Sequence, residues 1–317
     1  MRFGQNSLDE ISVMLAEQEL RYTDTVMIGD NSSGKSLLLK QLIQKMQDRR
    51  QEVYFIDAVN RSFDVKDVQR EKRKPAYKPT ILSTRLQENY FNLADSFSCY
   101  GTSTERIEEV YSAYEEEVQA LFCELTNERF EMLRYGDELR EVAFIGGVGL
   151  LSSGYQALIR LLLELLYYRE MGMEQRRVPN AYVVIDELDE FLSPRYAGKI
   201  WGFLKEKFPE INWVVTTHSC DLVACAKDAN LIVLEAGRYE VMDVNDYASL
   251  SEVQLVFGRL FGERKEPVSQ TEEQLRRLFN NKISGIWTTE DEEQLQQLGH
   301  RPLSASQQVI YRQIKEW

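Results

Sequence analysis

The sequence predicts an α/β fold built on a largely parallel sheet, and two observations carry that reading. TVMI (25–28) is a short apolar run that ends at Gly29 and leads through a glycine-rich turn into SLLLKQLIQKM (36–46), which has helical spacing. Further on, the strand-like runs AYVVID (181–186), NWVVTT (212–217) and LIVLEA (231–236) each follow a helix-like stretch. Strands alternating with helices pack as a parallel sheet with crossover helices.

The remaining elements fit around that frame. EVYFIDAV (52–59) reads as a second buried strand. From Arg61 to Lys78 the periodicity dissolves into a segment with seven basic and three acidic residues, and Pro75 and Pro79 mark it as a loop or hinge. Residues 104–139 are charged and helix-periodic, with Val110, Tyr114, Val118, Leu121 and Phe122 on one face. EVAFIG (141–146) is strand-like, a long helix starts near Gln156, and beyond about residue 245 the chain reads as charged helix. The expected organisation is a split core of residues 1–59 and 140–244, a helical insertion with a basic loop over 60–139, and a helical C-terminal region over 245–317.

Composition narrows the function classes. Of 317 residues, 43% are hydrophobic, enough for a sizeable core, so collagen, simple repeats and wholesale disorder are excluded. Lys plus Arg total 38 against 51 Asp plus Glu, a net charge of -13, so nucleic acid cannot be held by bulk charge and any contact needs a local patch. Cys99, Cys123, Cys220 and Cys225 form no CxxC pair, a spacing that suits buried free thiols in a reducing compartment. ALIRLLLELLYY (157–168), the most apolar stretch, is interrupted by Arg160 and Glu164 and is shorter than the roughly 20 residues of a membrane span. No signal peptide is read at the N-terminus, so a soluble, cytoplasmic protein without a membrane partner is expected.

Four segments carry chemistry. GDNSSGKS (Gly29, Asp30, Asn31, Ser32, Ser33, Gly34, Lys35, Ser36) fits GxxxxGK[ST] in full, between a predicted strand and a predicted helix. Such a loop turns successive N–H groups into one concavity, where Lys35 reaches β- and γ-phosphates and the Ser36 hydroxyl ligates Mg²⁺. The strand 181–186 ends in Asp186 and Glu187, placed to hold a metal-bound water and to face an attacking water; a solvated acidic turn is the plainer reading. LLSSGYQ (150–156) opens a helix with Ser152, Ser153 and Gly154, either a second anion site or an ordinary serine cap. His218 follows a buried strand, where it either faces a bound γ-phosphate or is a satisfied structural histidine.

In this order the four segments resemble the ATP-binding-cassette class of ATPases, within it the soluble RecF/SMC-like and OLD-type AAA ATPases of bacteria. Gly29–Ser36 match the Walker A loop, Leu151–Gln156 the LSSG-x-Q signature, Val183–Glu187 Walker B with its catalytic Glu, and His218 the switch histidine. The resemblance spans roughly 22–58 and 140–240 and implies a P-loop fold with an ABC-type core. It further implies ATP and Mg²⁺ as ligands, ATP hydrolysis with Glu187 and His218 as catalytic residues, Ser36 and Asp186 at the metal, and an ATP-dependent homodimer or higher oligomer. In that dimer the Ser152–Gly154 turn of one copy closes on the nucleotide of the other. Only about 28 residues precede the phosphate loop, fewer than the usual antiparallel subdomain needs; Phe3 and Tyr22 are the candidates for stacking on adenine, and Gln69 and Gln87 for a glutamine at the metal. Work in DNA maintenance or anti-phage defence with an effector protein follows from the likeness, with Arg61–Lys78 as the candidate DNA contact. The competing readings are a regulatory scaffold that sequesters a toxin or nuclease without touching DNA, and a transporter nucleotide-binding subunit.

Overall fold

The described strands are β1 (Thr25–Gly29), β2 (Val53–Ile56), β3 (Phe130–Tyr135), β4 (Glu138–Phe144), β5 (Gly147–Gly149), β6 (Ala181–Ile185), β7 (Ile211–Thr216), β8 (Asn230–Glu235) and β9 (Arg238–Asp243). The computed structural model describes residues 5–68, 76, 78–94, 97, 106–135, 138–144, 147–235, 238–247, 249–260, 270–283, 287–299, 303 and 305–316. Two compact units divide the chain, 1–261 and 262–317.

Six strands of the first unit form one sheet in the order β2-β6-β7-β1-β8-β9, parallel except for the β8–β9 hairpin. Both faces are covered, so its central strands read as unbroken apolar runs. Val26 and Ile28 of β1 enter one core with Val183, Ile185, Val215 and Val233. Met27, one residue out of phase, enters the other with Val184, Val214 and Ile232. The second core is closed by α1 (Gln5–Ala16) and α2 (Lys35–Asp48). After the five-residue α3 (Ile81–Arg85), the helices α4 (Ile107–Thr126), α5 (Ser153–Tyr167), α6 (Pro194–Lys207), α7 (Cys220–Cys225) and α8 (Leu250–Leu260) contribute to the first core. Each fully buried leucine there is worth about 1.5–3 kcal/mol of transfer free energy.

α5 runs on as a π-helical stretch, Tyr168–Glu174, and resolves the two charges that interrupt its apolar sequence. Glu164 is fully buried between Arg85 at 2.5 Å and Arg160 at 3.2 Å, and accepts the Tyr54 hydroxyl at 2.7 Å. The arginines hold its carboxyl below the usual range against the upward push of burial. No described helix is long and apolar enough to cross a membrane.

Three expectations change. The helix read through 104–139 ends at Thr126, where Asn127 turns left-handed (φ 65°) and its N–H closes on the Cys123 carbonyl at 2.8 Å. Period two then replaces 3.6: Phe130 is buried and Met132 packs beside it, while Glu131 is exposed. The strand expected at 141–146 belongs to a separate antiparallel sheet, β3-β4-β5, whose first strand lies within the segment 60–139 read as helical. The described cysteines are not buried: Cys123 and Cys220 are half-buried and Cys225 is exposed, with Cys99 outside the described residues.

The unit 262–317 contains α9 (Gln270–Ile283), α10 (Thr289–Gly299) and α11 (Ala305–Glu316) around Leu275, Leu278, Leu295, Leu298 and Ile314.

Candidate functional site

Parallel pairing brings the C-terminal ends of β1, β6 and β7 to one edge of the sheet, where open α/β sheets place their ligands. β7 lies between the other two, so residues far apart in sequence converge across it.

β1 ends at Gly29, and Asp30, Asn31 and Ser32 form the exposed turn that follows. Ser32 (φ 65°) and Gly34 (φ 100°) are both left-handed, which curls the chain around a concavity; at Gly34 only glycine takes that angle without strain. Gly34 is the residue before α2, whose first N–H groups have no partner within the helix. Among the described residues the buried Ser33 hydroxyl has no hydrogen-bond partner. Lys35 folds back over the loop and donates from Nζ to the carbonyls of Gly29 (2.8 Å) and Asp30 (3.2 Å). Burial lowers its pKa, opposed by the carboxylates of Asp186, Glu187, Asp30 and Asp189. A curled loop leading into a helix N-terminus, with a partly desolvated cation folded over it, fits a polyphosphate.

Ser36 donates its hydroxyl to Asp186 Oδ2 at 2.7 Å, joining the loop to the end of β6. Asp186 is 1% exposed and accepts two further bonds, from Thr216 Oγ1 to Oδ1 (2.5 Å) and from Asn92 Nδ2 to Oδ2 (2.7 Å). The Ser36 hydroxyl and the Asp186 carboxylate are hard oxygen ligands of the kind Mg²⁺ takes, whereas Asn92 turns its NH2 to that carboxylate and its oxygen to the Ala58 N–H.

Glu187 lies in the left-handed region (φ 54°), a conformation that costs a non-glycine residue about 1–3 kcal/mol and persists only where its surroundings enforce it. Its N–H donates to Thr216 Oγ1 at 2.7 Å. Its side chain is 33% exposed, with Oε1 at 3.8 Å from His218 Nε2. The His218 N–H donates to Asp189 Oδ1 at 3.3 Å. Glu190 is hydrogen-bonded to Glu187, and its carboxyl is raised to about 7, by burial first and then by Glu187.

The serine-glycine turn stands apart from the loop. Ser152 and Ser153 are exposed at the start of α5, and among the described residues no hydrogen bond links Ser152, Ser153 or Gly154 to residues 29–36. Ser152 is an N-cap, accepting the Tyr155 N–H at 3.3 Å. Ser153 does share a cavity of about 500 Å³ with Arg61, Gln156, Glu187, Glu190 and Phe191. Gly154 is pressed against the turn that follows Glu187: a Cβ there would meet the Phe191 carbonyl oxygen at 2.7 Å.

Several other expectations are corrected. Tyr22 precedes β1 at the end of the strand opposite the phosphate loop, with its hydroxyl donating to Asp243 Oδ2 at 3.0 Å, so it cannot stack on a nucleotide held at Gly29–Ser36. Phe3 and Gln69 lie outside the described residues, and Gln87 is exposed in a turn. Among the described residues it is Asn92, not a glutamine, whose amide reaches Asp186. It also accepts the Ala58 N–H at 3.1 Å, tying the outlet of β2 to Asp186, and nothing in its sequence surroundings marks it. Arg61 and Lys78, the ends of the basic segment, are both buried, while Lys72, Arg73 and Lys74 lie outside the described residues. Along α8, Val253 is buried, Val256 packs against the core and Leu255 is exposed, while the side chain of Leu260 lies outside the described residues.

No family model matches the chain, and no curated protein does. Among solved structures, an SMC head bound to the C-winged helix domain of ScpA is similar at 18% identity and TM-score 0.31, over 42% of this chain and 42% of that one. The SMC head domain from Thermotoga maritima is similar at 21% identity and TM-score 0.30, over 43% and 50%. CbiO1 from Clostridium perfringens, part of the ABC transporter complex cbiONQ, is similar at 13% identity and TM-score 0.37, over 80% of this chain and 89% of that chain. The two SMC heads are thus spanned over half their own length or less.

Proposed function

We propose that this chain binds and hydrolyses ATP as an ABC-class ATPase, and that two copies close on shared nucleotides as a clamp or switch. The observation that carries the reading is the 2.7 Å bond from Ser36 to Asp186, which seats a phosphate-binding turn against a buried carboxylate with Glu187 one residue beyond.

In this reading Lys35 leaves the Gly29 and Asp30 carbonyls for the β- and γ-phosphates, and the N–H groups opening α2 take up the remaining phosphate charge. Ser36 and Asp186 would hold Mg²⁺, which supplies charge neutralisation on the phosphates. Glu187 orients the attacking water and accepts its proton as the γ-phosphoryl passes to water, giving ADP and phosphate. His218 contacts the γ-phosphate. The turn of Ser152, Ser153 and Gly154, whose two serines are exposed, meets the nucleotide of a second copy.

The test pairs hydrolysis with mass. Wild type should hydrolyse ATP with Mg²⁺, and Glu187→Gln should bind ATP, double in mass with it and turn over at least a hundredfold more slowly. Full turnover by Glu187→Gln, or no ATP bound by wild type, refutes the reading.

As to biological role, we place the switch in the cytoplasm, in DNA maintenance or anti-phage defence, controlling an effector protein. A second reading, a regulatory scaffold that sequesters a toxin or nuclease without touching DNA, gains from the burial of Arg61 and Lys78, which withdraws both ends of the basic segment from any DNA contact. Salt-dependent DNA binding abolished by neutralising Lys72, Arg73 and Lys74 would favour the first; co-purification with a protein effector and no DNA binding would favour the second.

A further inference from the structure

Arg61 opens the basic segment, yet it is only 4% exposed and sits directly behind the Asp186–Glu187 turn. Among the described residues each of its hydrogen bonds goes to a main-chain carbonyl. One terminal nitrogen, Nη1, donates to the carbonyls of Asp57 and Asn60, both at 3.1 Å, which anchors the guanidinium on the loop leaving β2. The other, Nη2, donates to the carbonyl of Asp186 at 3.0 Å and that of Glu187 at 3.4 Å.

Those last two carbonyls belong to the peptide planes on either side of the Glu187 Cα. Fixing both planes fixes φ and ψ of Glu187 together, and with them the direction of its Cα–Cβ bond. Glu187 needs such a fixture because its backbone is left-handed (φ 54°). Thr216 holds the same residue through its N–H, so the turn is gripped from two sides. A guanidinium suits this role because five N–H donors in one rigid plane span two loops, which an ammonium cannot do. Burying the cation carries a desolvation cost that lowers its pKa, and the planar fork is what the fold gains for it.

We propose that Arg61 is a positioning residue for Glu187: it holds the strained turn so that the carboxylate faces the attacking water. This rests on the ATPase reading for its kinetic consequence, but not for its structural one. Arg61→Lys keeps the charge and loses the fork; Arg61→Met keeps the apolar stem and loses every donor.

For both variants we expect kcat to fall about 10–100-fold with the ATP dissociation constant within about twofold of wild type, the signature of a misplaced catalytic group. In a Glu187→Gln background the same substitutions should change the residual rate by less than about twofold, because Arg61 acts only through that carboxylate. Independently of turnover, hydrogen exchange at the Glu187 and Leu188 amides should quicken at least about tenfold in Arg61→Lys, with the rest of the sheet unaltered. Wild-type kcat, additive losses in the double variant, or unaltered exchange at those two amides would each overturn the assignment. Should Arg61→Met not fold, Arg61→Lys gives all three readouts. If wild type hydrolyses no ATP, the ATPase reading falls, and the exchange measurement still decides whether Arg61 holds the turn.

Discussion

Asn92 donates to the same oxygen of Asp186 that receives the Ser36 hydroxyl, at 2.7 Å in each case. The insertion between β2 and α4 thereby reaches the carboxylate assigned to Mg²⁺, and the Ala58 N–H on the other end of the amide makes the link two-sided. Asn92→Ala should raise the Mg²⁺ concentration for half-maximal ATP hydrolysis about 10–100-fold, the usual loss for a residue that orients a metal ligand. An unchanged Mg²⁺ titration would show the contact to be incidental.

Gly154 leaves no room for a side chain. The Cβ of Gly154→Ala would sit 2.7 Å from a backbone oxygen, that of Phe191, which cannot rotate aside as a side chain can. We expect a loss of about 1–3 kcal/mol in urea unfolding, typical of overpacking, with slower hydrolysis as the turn after Glu187 shifts. Unaltered stability together with unaltered turnover would sink this prediction.

Glu190 gives the site a pH dependence near neutrality. Its carboxyl is raised to about 7, so below that pH it is protonated and donates to Glu187, and above it two carboxylates face each other. The folded value exceeds the unfolded one, near 4.5, so the folded state binds more protons between them. The contribution of Glu190 to stability should therefore decline as pH climbs through that window, and its hydrogen bond to Glu187 should be lost above the upper end. Hydrolysis should fall on the alkaline side of pH 7, and Glu190→Gln should flatten both the stability slope and that limb. The check is a pH–rate profile beside urea titrations at pH 5 and 8; slopes shared by the variant would rule Glu190 out.

Glu164 stands between two buried arginines. Glu164→Gln leaves Arg85 and Arg160 without their carboxylate and should cost about 3–5 kcal/mol in chemical denaturation, the range for breaking a buried ion pair from one side. A loss under about 1 kcal/mol would mean water or another group takes over the pairing.

How much of the fold and site is legible in the sequence depends on whether residues act through neighbours along the chain or across space. The phosphate loop is legible because Gly29 to Ser36 form one continuous turn, and Asp186–Glu187 because two carboxylates end an apolar strand. Thr216, Asn92 and Arg61 reach the site from a strand end and two loops, and no local pattern announces such a meeting. The basic count of 61–78 points outward, whereas Arg61 bonds inward to four carbonyls. The charged faces of 104–139 mask a change of period at Asn127 that only one left-handed residue enforces. Tyr22 is near the phosphate loop along the chain, but strand direction carries it to the far end of the sheet.

The place of β7 has a consequence for biosynthesis. β1 and β6 share no edge; each pairs with β7, and Thr216 at its end receives the Glu187 N–H and donates to Asp186. A nascent polypeptide that has left the ribosome only as far as residue 210 therefore holds both the loop after β1 and the Asp186–Glu187 turn and lacks the strand that makes them neighbours. The proposed nucleotide site therefore cannot assemble before synthesis has passed Thr216.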